Sequence, residues 1–211
     1  MEVKWLGHAS WKIKTAGKVI YLDPYVGEYD EVADLILSTH SHGDHCAPEK
    51  VDLVKGEDTV IVAPRDCGEV LGAAVKSLKP GERYVHDGVT IAAVEAYNFK
   101  RFRSPGTPFH PKGLGVGYLV ISEGKTIYHV GDTDFIEEMK ALENIDLMLV
   151  ASGGTYTMDN EDAIDAVVEV SPRIAIPMHV WDTDPTEFKQ GVEERSSTKV
   201  MLLQPGETFT L

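Results

Sequence analysis

The chain has 211 residues, of which 34 are acidic and 20 basic, so its formal net charge at pH 7 is −14. This length fits a single domain, 1–211, with a substantial core, and the charge disfavours nucleic acid and anionic membranes as partners. No apolar run is long enough for a signal peptide or a membrane span, and the two cysteines are Cys46 and Cys67. We therefore expect a cytoplasmic protein with two free thiols, and a homo-oligomer would be compatible with these properties.

Short β-branched runs bounded by turns predict strands along the whole chain. They lie at 3–6, 18–22, 35–38, 59–63, 89–97, 115–122, 125–130, 146–151, 173–178 and 199–203. Helical spacing predicts helices at about 66–77, 134–142, 160–170 and 185–195, the third opened by the capping candidates Asp159 and Asn160. A further helix start is expected at Pro48. Residues 98–113 are predicted to form a long loop, and such loops in compact domains are more often functional than accidental.

The segment STHSHGDHC at 38–46 contains the strongest chemical signal. His40, His42, Asp44 and His45 follow a predicted strand and offer imidazole and carboxylate ligands, which suit Zn, Mn, Fe or Ni. Turns with one or two histidines are usually solvated surface, but four ligands in H-x-H-x-D-H order favour a metal site. Because neighbouring residues such as Asp44 and His45 cannot easily point at the ion that His40 and His42 would bind, the spacing favours two ions.

Two ions need more ligands than this turn supplies, and three candidates occur later in the chain. Asp132 and His179 each come just after a predicted strand, and His110 lies in the long loop. His8 also follows a strand and is expected to support the site or approach it closely. His129, on a strand three positions before Asp132, is expected to be a hydrogen-bonded imidazole that supports the site rather than a ligand.

Taken together, these motifs resemble the metallo-β-lactamase superfamily of metal-dependent hydrolases. The resemblance rests on Asp23 in YLDPY, the H-x-H-x-D-H turn, the loop histidine, the GDT aspartate and the late MH histidine. The segments WLGHASW, HPKGLGVGY, YHVGDTDF and GGTYTM are similar to the small single-domain hydrolases grouped near the ascorbate-6-phosphate lactonases.

The resemblance implies an α/β fold, a four-layer αββα sandwich, and a complete set of site residues. One metal would be held by His40, His42 and His110, and the second by Asp44, His45 and His179, with Asp132 bridging the two. Asp44 would be the catalytic residue, and Asp23 would orient a ligand imidazole. The implied cofactors are two divalent ions, zinc first, with manganese, iron or nickel as alternatives. Cys46 matches no ligand of the superfamily and is expected to pack behind the site.

Two ions about 3.5 to 4 Å apart can share a hydroxide and so supply a nucleophile at neutral pH. Between Ala96 and Ser122 there is no acidic residue, and the basic residues cluster around His110: Lys100, Arg101, Arg103 and Lys112. This cluster favours a small-molecule substrate with a phosphate or carboxylate, although a solvated basic loop that balances acidic neighbours is the competing interpretation. Tyr156 and Thr155 in SGGTYTM are candidate substrate contacts, or members of a plain glycine-rich turn before a helix.

The leading hypothesis is a dinuclear metal hydrolase that uses a metal-bridging hydroxide on a small anionic ester, lactone or phosphodiester. A non-catalytic metal-binding or regulatory protein is the main alternative. A nuclease of this superfamily would usually carry an inserted RNA-binding domain, for which 211 residues leave little room. A di-iron oxidoreductase would want an acidic residue in place of His42 and a flavin domain.

Overall fold

Two β-sheets, a short ribbon and four α-helices make up the computed structural model, which describes residues 1–211. The strands are β1 (Glu2–Gly7), β2 (Ser10–Thr15), β3 (Lys18–Leu22), β4 (Ala33–Leu37), β5 (Lys55–Val62), β6 (Arg83–His86), β7 (Val89–Ala96), β8 (Phe102–Ser104), β9 (Thr107–Pro108), β10 (Gly115–Ser122), β11 (Lys125–His129), β12 (Leu147–Ala151), β13 (Ile174–Met178), β14 (Lys199–Val200) and β15 (Thr208–Thr210). The helices are α1 (Pro48–Val54), α2 (Arg65–Leu71), α3 (Asn160–Val170) and α4 (Pro185–Arg195), with a 3₁₀ helix at Glu137–Ala141. No helix has the length and hydropathy that crossing a membrane requires.

Each large sheet combines an antiparallel part with a parallel part. The first sheet has the order β15-β1-β2-β3-β4-β5, and its last three strands are parallel. The second has the order β14-β13-β12-β11-β10-β7-β6, and its first four strands are parallel. The carboxyl ends of parallel strands meet at one edge of a sheet, so each sheet presents such an edge to the loops that follow its strands.

The two sheets face each other across one apolar core and carry helices on their outer faces. Side chains of both sheets, such as Trp11 and Tyr118, are fully buried in that core, which extends to α3 and α4. A second cluster joins α1 and α2 to the outer face of the first sheet and contains both cysteines, which are unbonded. The protein is therefore a four-layer αββα sandwich, which confirms the predicted fold class.

Capping explains where the helix predictions were right and where they were wrong. The helices at 160–170 and 185–195 are confirmed: Asp159 accepts a hydrogen bond from the amide of Asp162, and Asp184 caps the second helix in the same way. The helix expected at 66–77 ends at Leu71, because Gly72 takes a left-handed conformation with φ of 57° that terminates it. The helix expected at 134–142 is reduced to one short 3₁₀ segment.

Several strands lacked a clear sequence signal. β2 was missed because its alternate residues are lysines, although Lys12 is only 4% exposed and is paired with Asp30 and Glu31. β6 and β15 are short and mostly polar, and they join the sheets only because neighbouring strands provide hydrogen-bonding edges. The predicted loop at 98–113 contains the β8-β9 ribbon.

A buried ion-pair network anchors the start of this 98–113 segment to the second sheet. The carboxylate of Asp134 is fully buried and accepts hydrogen bonds from the backbone amides of Phe99 and Lys100. The guanidinium of Arg101 lies 2.8 Å from the same carboxylate and also pairs with Asp162 on α3. This network fixes the backbone that leads to His110.

We predict that Arg101→Met lowers the free energy of unfolding by about 3 to 5 kcal/mol, because it leaves the buried Asp134 carboxylate without its cation. Urea or thermal unfolding followed by circular dichroism measures the change. Lys140→Met removes the cation of an exposed pair with Glu137 and serves as the control, for which almost no change is expected. Equal stability of the Arg101→Met variant and the wild type would contradict this account of the network.

Candidate metal centre

The side chains of the candidate metal centre follow strand ends in both sheets. His8, Asp23 and the 38–46 turn come directly after β1, β3 and β4 of the first sheet, and His179 follows β13 of the second. Asp132 comes three residues after the end of β11. His110 lies in the 98–113 segment that leads into β10. The sandwich brings these ends together, so that residues from 8 to 179 converge on one place.

Three histidine nitrogens face one another in the first cluster. His42 Nδ1 lies 3.1 Å from His40 Nε2 and 3.2 Å from His110 Nε2. Two ligand atoms that share a tetrahedral zinc ion lie roughly 3.3 Å apart, given a zinc–nitrogen distance of about 2.0 to 2.1 Å. The spacing of these nitrogens therefore suits a single cation among them.

The second cluster joins Asp44, His45 and His179, and it also includes His8. Asp44 Oδ2 lies 3.7 Å from His45 Nε2, 3.9 Å from His179 Nε2 and 3.1 Å from His8 Nε2. The Nε2 atoms of His45 and His179 are buried and make no hydrogen bond. Buried polar atoms are normally satisfied, so these orphaned nitrogens are what a metal-ligating pair looks like without its ion.

Asp132 lies between the two clusters. One of its carboxylate oxygens is 3.4 Å from His45 Nε2, and the other is 3.4 Å from His110 Nε2 and 3.3 Å from His179 Nε2. Its Oδ1 is buried and has no hydrogen-bond partner. The oxygen near His110 and His179 thus faces a ligand candidate of each cluster, so the donor set fits the two ions that the superfamily resemblance implies.

Asp23 and Thr39 fix the orientation of one histidine in each cluster. The buried carboxylate of Asp23 accepts hydrogen bonds from the Thr39 hydroxyl and from His45 Nδ1, each at 2.7 Å. Because the Thr39 hydroxyl donates to Asp23, it can accept from His40 Nδ1 at 3.0 Å. In the neutral form that binds a metal, both rings would therefore carry their proton on Nδ1 and direct the Nε2 lone pair into the site.

Asn98 fixes the orientation of His110, the histidine of the 98–113 segment. Its side-chain carbonyl accepts hydrogen bonds from both the backbone amide and Nδ1 of His110, the latter at 2.7 Å. Sequence reasoning missed Asn98 and Thr39, and only the adjacency of Thr39 to His40 could have pointed to either. Gly115 was also missed: a Cβ there would lie 2.9 Å from His40 Cβ, so a side chain would push β10 away from the ligand turn.

The electrostatics of the site favour a bound cation. Burial lowers the pKa of His40 well below its usual range and that of His110 to about 4, so these rings are in the neutral form that binds metals. Burial also lowers the pKa of His45, but the carboxylates of Asp132 and Asp23 outweigh it and raise the value to about 10. This excess of negative charge around His45 is what a divalent ion would neutralise.

Three residues of the site hold a backbone conformation that side chains rarely adopt. His8, Asp23 and His179 have φ values of 51°, 43° and 50°. Each such residue costs of order 1 to 3 kcal/mol, and the strain persists only where the surroundings impose it. The amide of His179 donates to the carbonyl of His8 at 3.1 Å, so two of these residues are tied together across the two sheets.

A model of the β-lactamase superfamily domain matches residues 2–179 of the chain. The chain belongs to the β-lactamase superfamily. A UPF0173 metal-dependent hydrolase of Pelotomaculum thermopropionicum is 33% identical over the full length of both chains. The crystal structure of a metal-dependent hydrolase from Parabacteroides distasonis is 31% identical, with a TM-score of 0.89, and the match covers 97% of this chain and 93% of that one.

Igni18, a metallo hydrolase from Ignicoccus hospitalis, is 26% identical with a TM-score of 0.81, over 100% of this chain and 98% of that one. The chain is thus a metal-dependent hydrolase of the metallo-β-lactamase superfamily, as its motifs indicated. The narrower resemblance to the ascorbate-6-phosphate lactonases stays a prediction, because none of these three proteins is described by that activity.

His8 and His129, the two histidines predicted to support the site, lie at different distances from the candidate metal ligands. His129 is fully buried; its Nε2 donates to the carbonyl of Ala9 at 3.0 Å, and its Nδ1 accepts from the amide of Gly131. The ring therefore joins the backbone just after His8 to the backbone just before Asp132. His8 reaches the cluster itself, through Asp44, and its Nε2 lies among the atoms that could contact an ion.

Of the four basic residues predicted to bind substrate, the structure brings one to the site. Lys100 and Arg101 are paired with Asp162, and Lys112 is paired with Glu138. Each of these three cations forms an ion pair, because folding brings acidic residues from distant parts of the sequence next to the basic segment. The exception is Arg103, which has no ion pair and lines the cavity above the metal residues.

That cavity has a volume of about 250 Å³ and opens directly onto the ligands of both clusters. It is lined by His42, Asp44, Arg103, Phe109, His110, Asp132, Tyr156, His179 and Trp181. Tyr156, the second predicted contact present here, packs edge to face with Phe109 at 4.8 Å between ring centroids. A larger groove of about 580 Å³ runs along Arg65, Glu69 and Leu78, but it contains none of the metal residues, so the smaller cavity is the candidate substrate site.

Trp181 was missed by the sequence analysis, although it lies two residues after His179. Its indole Nε1 donates to His179 Nδ1 at 3.1 Å, which leaves the proton of a neutral ring on Nε2. A cation held at Nε2 would take the place of that proton.

We predict that Asp23→Asn weakens metal binding about 10- to 100-fold, because one carboxylate oxygen accepts from the Thr39 hydroxyl and His45 Nδ1 while the other accepts from the Thr39 backbone amide, and an asparagine that keeps the first two hydrogen bonds turns its NH2 group toward that amide. Asparagine tolerates the left-handed backbone at this position, so the fold is spared. Competition with a chromophoric chelator measures the affinity.

Asp87→Asn is the matched control, since Asp87 also has a left-handed φ, of 45°, but is exposed and paired with Lys18. Unchanged metal affinity in Asp23→Asn, or an equal loss in both variants, would contradict the orienting role of Asp23.

Proposed function

We propose that the protein holds two divalent ions and hydrolyses a small anionic ester, lactone or phosphodiester. The position of Asp132, with one oxygen toward His45 and the other toward His110 and His179, carries this proposal. His40, His42 and His110 hold the first ion; Asp44, His45 and His179 hold the second; and Asp132 contacts both. Zinc suits this donor set first, with manganese, iron or nickel as alternatives.

Two divalent ions in such a site lower the pKa of water toward neutrality and polarise an ester or phosphoryl oxygen. The chain's own residues set the geometry in which this occurs. Asp23, Thr39 and Asn98 lock the tautomers of His45, His40 and His110. Asp44 is a ligand at the cavity floor, and it is positioned by the hydrogen bond with His8 Nε2 at 3.1 Å.

The anionic character of the substrate is supported by Arg103. In a chain with a net charge of −14, its guanidinium lines the cavity without an acidic partner and lies over the ring of Phe109 at 5.8 Å. A guanidinium matches the geometry of phosphate and carboxylate groups through two parallel hydrogen bonds. Arg103 and Tyr156 are therefore the substrate contacts of this proposal, and Lys100, Arg101 and Lys112 are not.

Elemental analysis and a substrate panel test the dinuclear hydrolase directly. The metal-reconstituted protein should contain two ions per chain and turn over at least one of bis-p-nitrophenyl phosphate, lactones and thioesters. Asp44→Ala should retain about one ion and lose turnover by more than roughly a hundredfold, because it removes a ligand of the second ion. Asp52→Ala, at an exposed aspartate of α1 that does not line the metal-site cavity, should match the wild type.

A wild-type protein loaded with two ions that turned over no compound of the panel would favour a non-catalytic metal-binding role. A single ion per chain would contradict the dinuclear assignment.

We predict that Arg103→Ala raises KM for bis-p-nitrophenyl phosphate at least about tenfold with little change in kcat, because a charged hydrogen bond contributes roughly 1.5 kcal/mol or more to binding. KM for the neutral ester p-nitrophenyl acetate should not change. Lys112→Ala is the control, since Lys112 pairs with Glu138 outside the cavity. An equal effect of Arg103→Ala on KM for the charged and the neutral ester would contradict the assignment of Arg103 as the residue that binds the anionic group.

A further inference from the structure

A second cavity, of about 380 Å³, lies beside the metal centre on the side of the first sheet. It is lined by Trp5, Leu6, Gly7, His8, Tyr25, Val26, Val180, Trp181 and Pro205. No aspartate, glutamate, lysine or arginine is among these residues, although charged residues make up 26% of the chain. Its size and apolar lining are typical of sites that bury a small organic group.

This apolar cavity adjoins the metal-site cavity at one shared side chain, Trp181, and at one contact that His8 makes. Trp181 lines both, and its indole is 57% exposed. His8 lines the apolar cavity, while its Nε2 contacts Asp44 and its ring lies 4.0 Å from the ring of His179. His8 and Trp181 therefore place the apolar cavity directly beside the candidate metal residues.

The inner wall of the apolar cavity is preformed. Trp5 stacks on the fully buried Trp11 with 5.9 Å between ring centroids, and its indole Nε1 donates to the carbonyl of His8 at 3.0 Å. Single exposed apolar residues are ordinary on protein surfaces, but a fixed concave wall adjoining a metal centre is not. The wall needs no rearrangement to receive an apolar group.

We propose that this cavity binds the alkyl or aryl group of the substrate, while Arg103, in the adjoining metal-site cavity, binds its anionic group. The substrate would then be an amphipathic anion whose scissile bond lies between its charged and apolar parts. This inference rests on the proposed function, and it adds the apolar half of the substrate to the anionic half. Trp181, which separates the two cavities, becomes a residue that positions the substrate.

Linear alkylphosphonates from methyl to octyl test this subsite without hydrolysis, because their carbon–phosphorus bond is not an ester. We expect isothermal titration of the metal-loaded protein to show a Kd that falls roughly fourfold with each methylene until the cavity is filled. Val26→Asp should abolish this dependence on chain length and leave the Kd of methylphosphonate within about twofold of the wild type. Val26→Leu should retain the dependence.

Val85→Asp is the matched control, since Val85 is 65% exposed on β6, away from both cavities. A Kd that is equal for all chain lengths, a length dependence that survives in Val26→Asp, or no binding of any phosphonate would overturn the proposal. If the dependence appears and Val26→Asp abolishes it, but no ester is turned over, the apolar subsite holds and the proposed hydrolytic function fails.

Discussion

The structure of the site depends on one carboxylate shared between two sheets. Asp132 extends from the second sheet and contacts His45 of the first, His110 of the 98–113 segment and His179 beyond β13. Burial lowers the pKa of His45, but the charges of Asp132 and Asp23 together outweigh burial and raise it. Burial raises the pKa of Asp132, but the neighbouring histidines, His45 and His179 foremost, together outweigh burial and hold that pKa well below its usual range. These groups gain their mutual attraction only when both sheets are packed.

Packing these groups together destabilises the site locally, and the rigid strands and hydrogen bonds around it offset that destabilisation. Three residues of the site are in left-handed backbone conformations, and several ligand atoms lack hydrogen bonds. Against this, the fully buried strand β12 and the mostly buried strand β4 provide rigid platforms, and Asp23 accepts hydrogen bonds from both Thr39 and His45. A bound cation would satisfy the remaining unpaired atoms, so the metal centre and the sandwich stabilise each other.

Charged residues near the candidate metal centre have two different roles: some stabilise the fold, and others are available to bind a substrate. Arg101 is held by Asp134 and Asp162 and anchors the segment that presents His110, whereas Arg103, two residues later, points into the cavity without an acidic partner. Next to His179 and Asp44, Trp181 and His8 border a second cavity that lacks charged side chains. This asymmetry gives a direction to any substrate, with the anionic end toward Arg103 and the apolar end toward Trp181.

The sequence by itself determined the fold class and the ligand types. The periodicity of the sequence located most strands and the two long helices. The H-x-H-x-D-H turn predicted further ligands elsewhere in the chain, with Asp132, His110 and His179 as the candidates. Local sequence could not identify β2, whose lysines are buried by pairing with distant acids, nor the end of α2 at Gly72. It also could not separate Arg103 from Lys100, Arg101 and Lys112, because all four are equivalent in a one-dimensional charge pattern. Only the tertiary structure decided which cations meet a carboxylate, since an ion pair depends on distance in space.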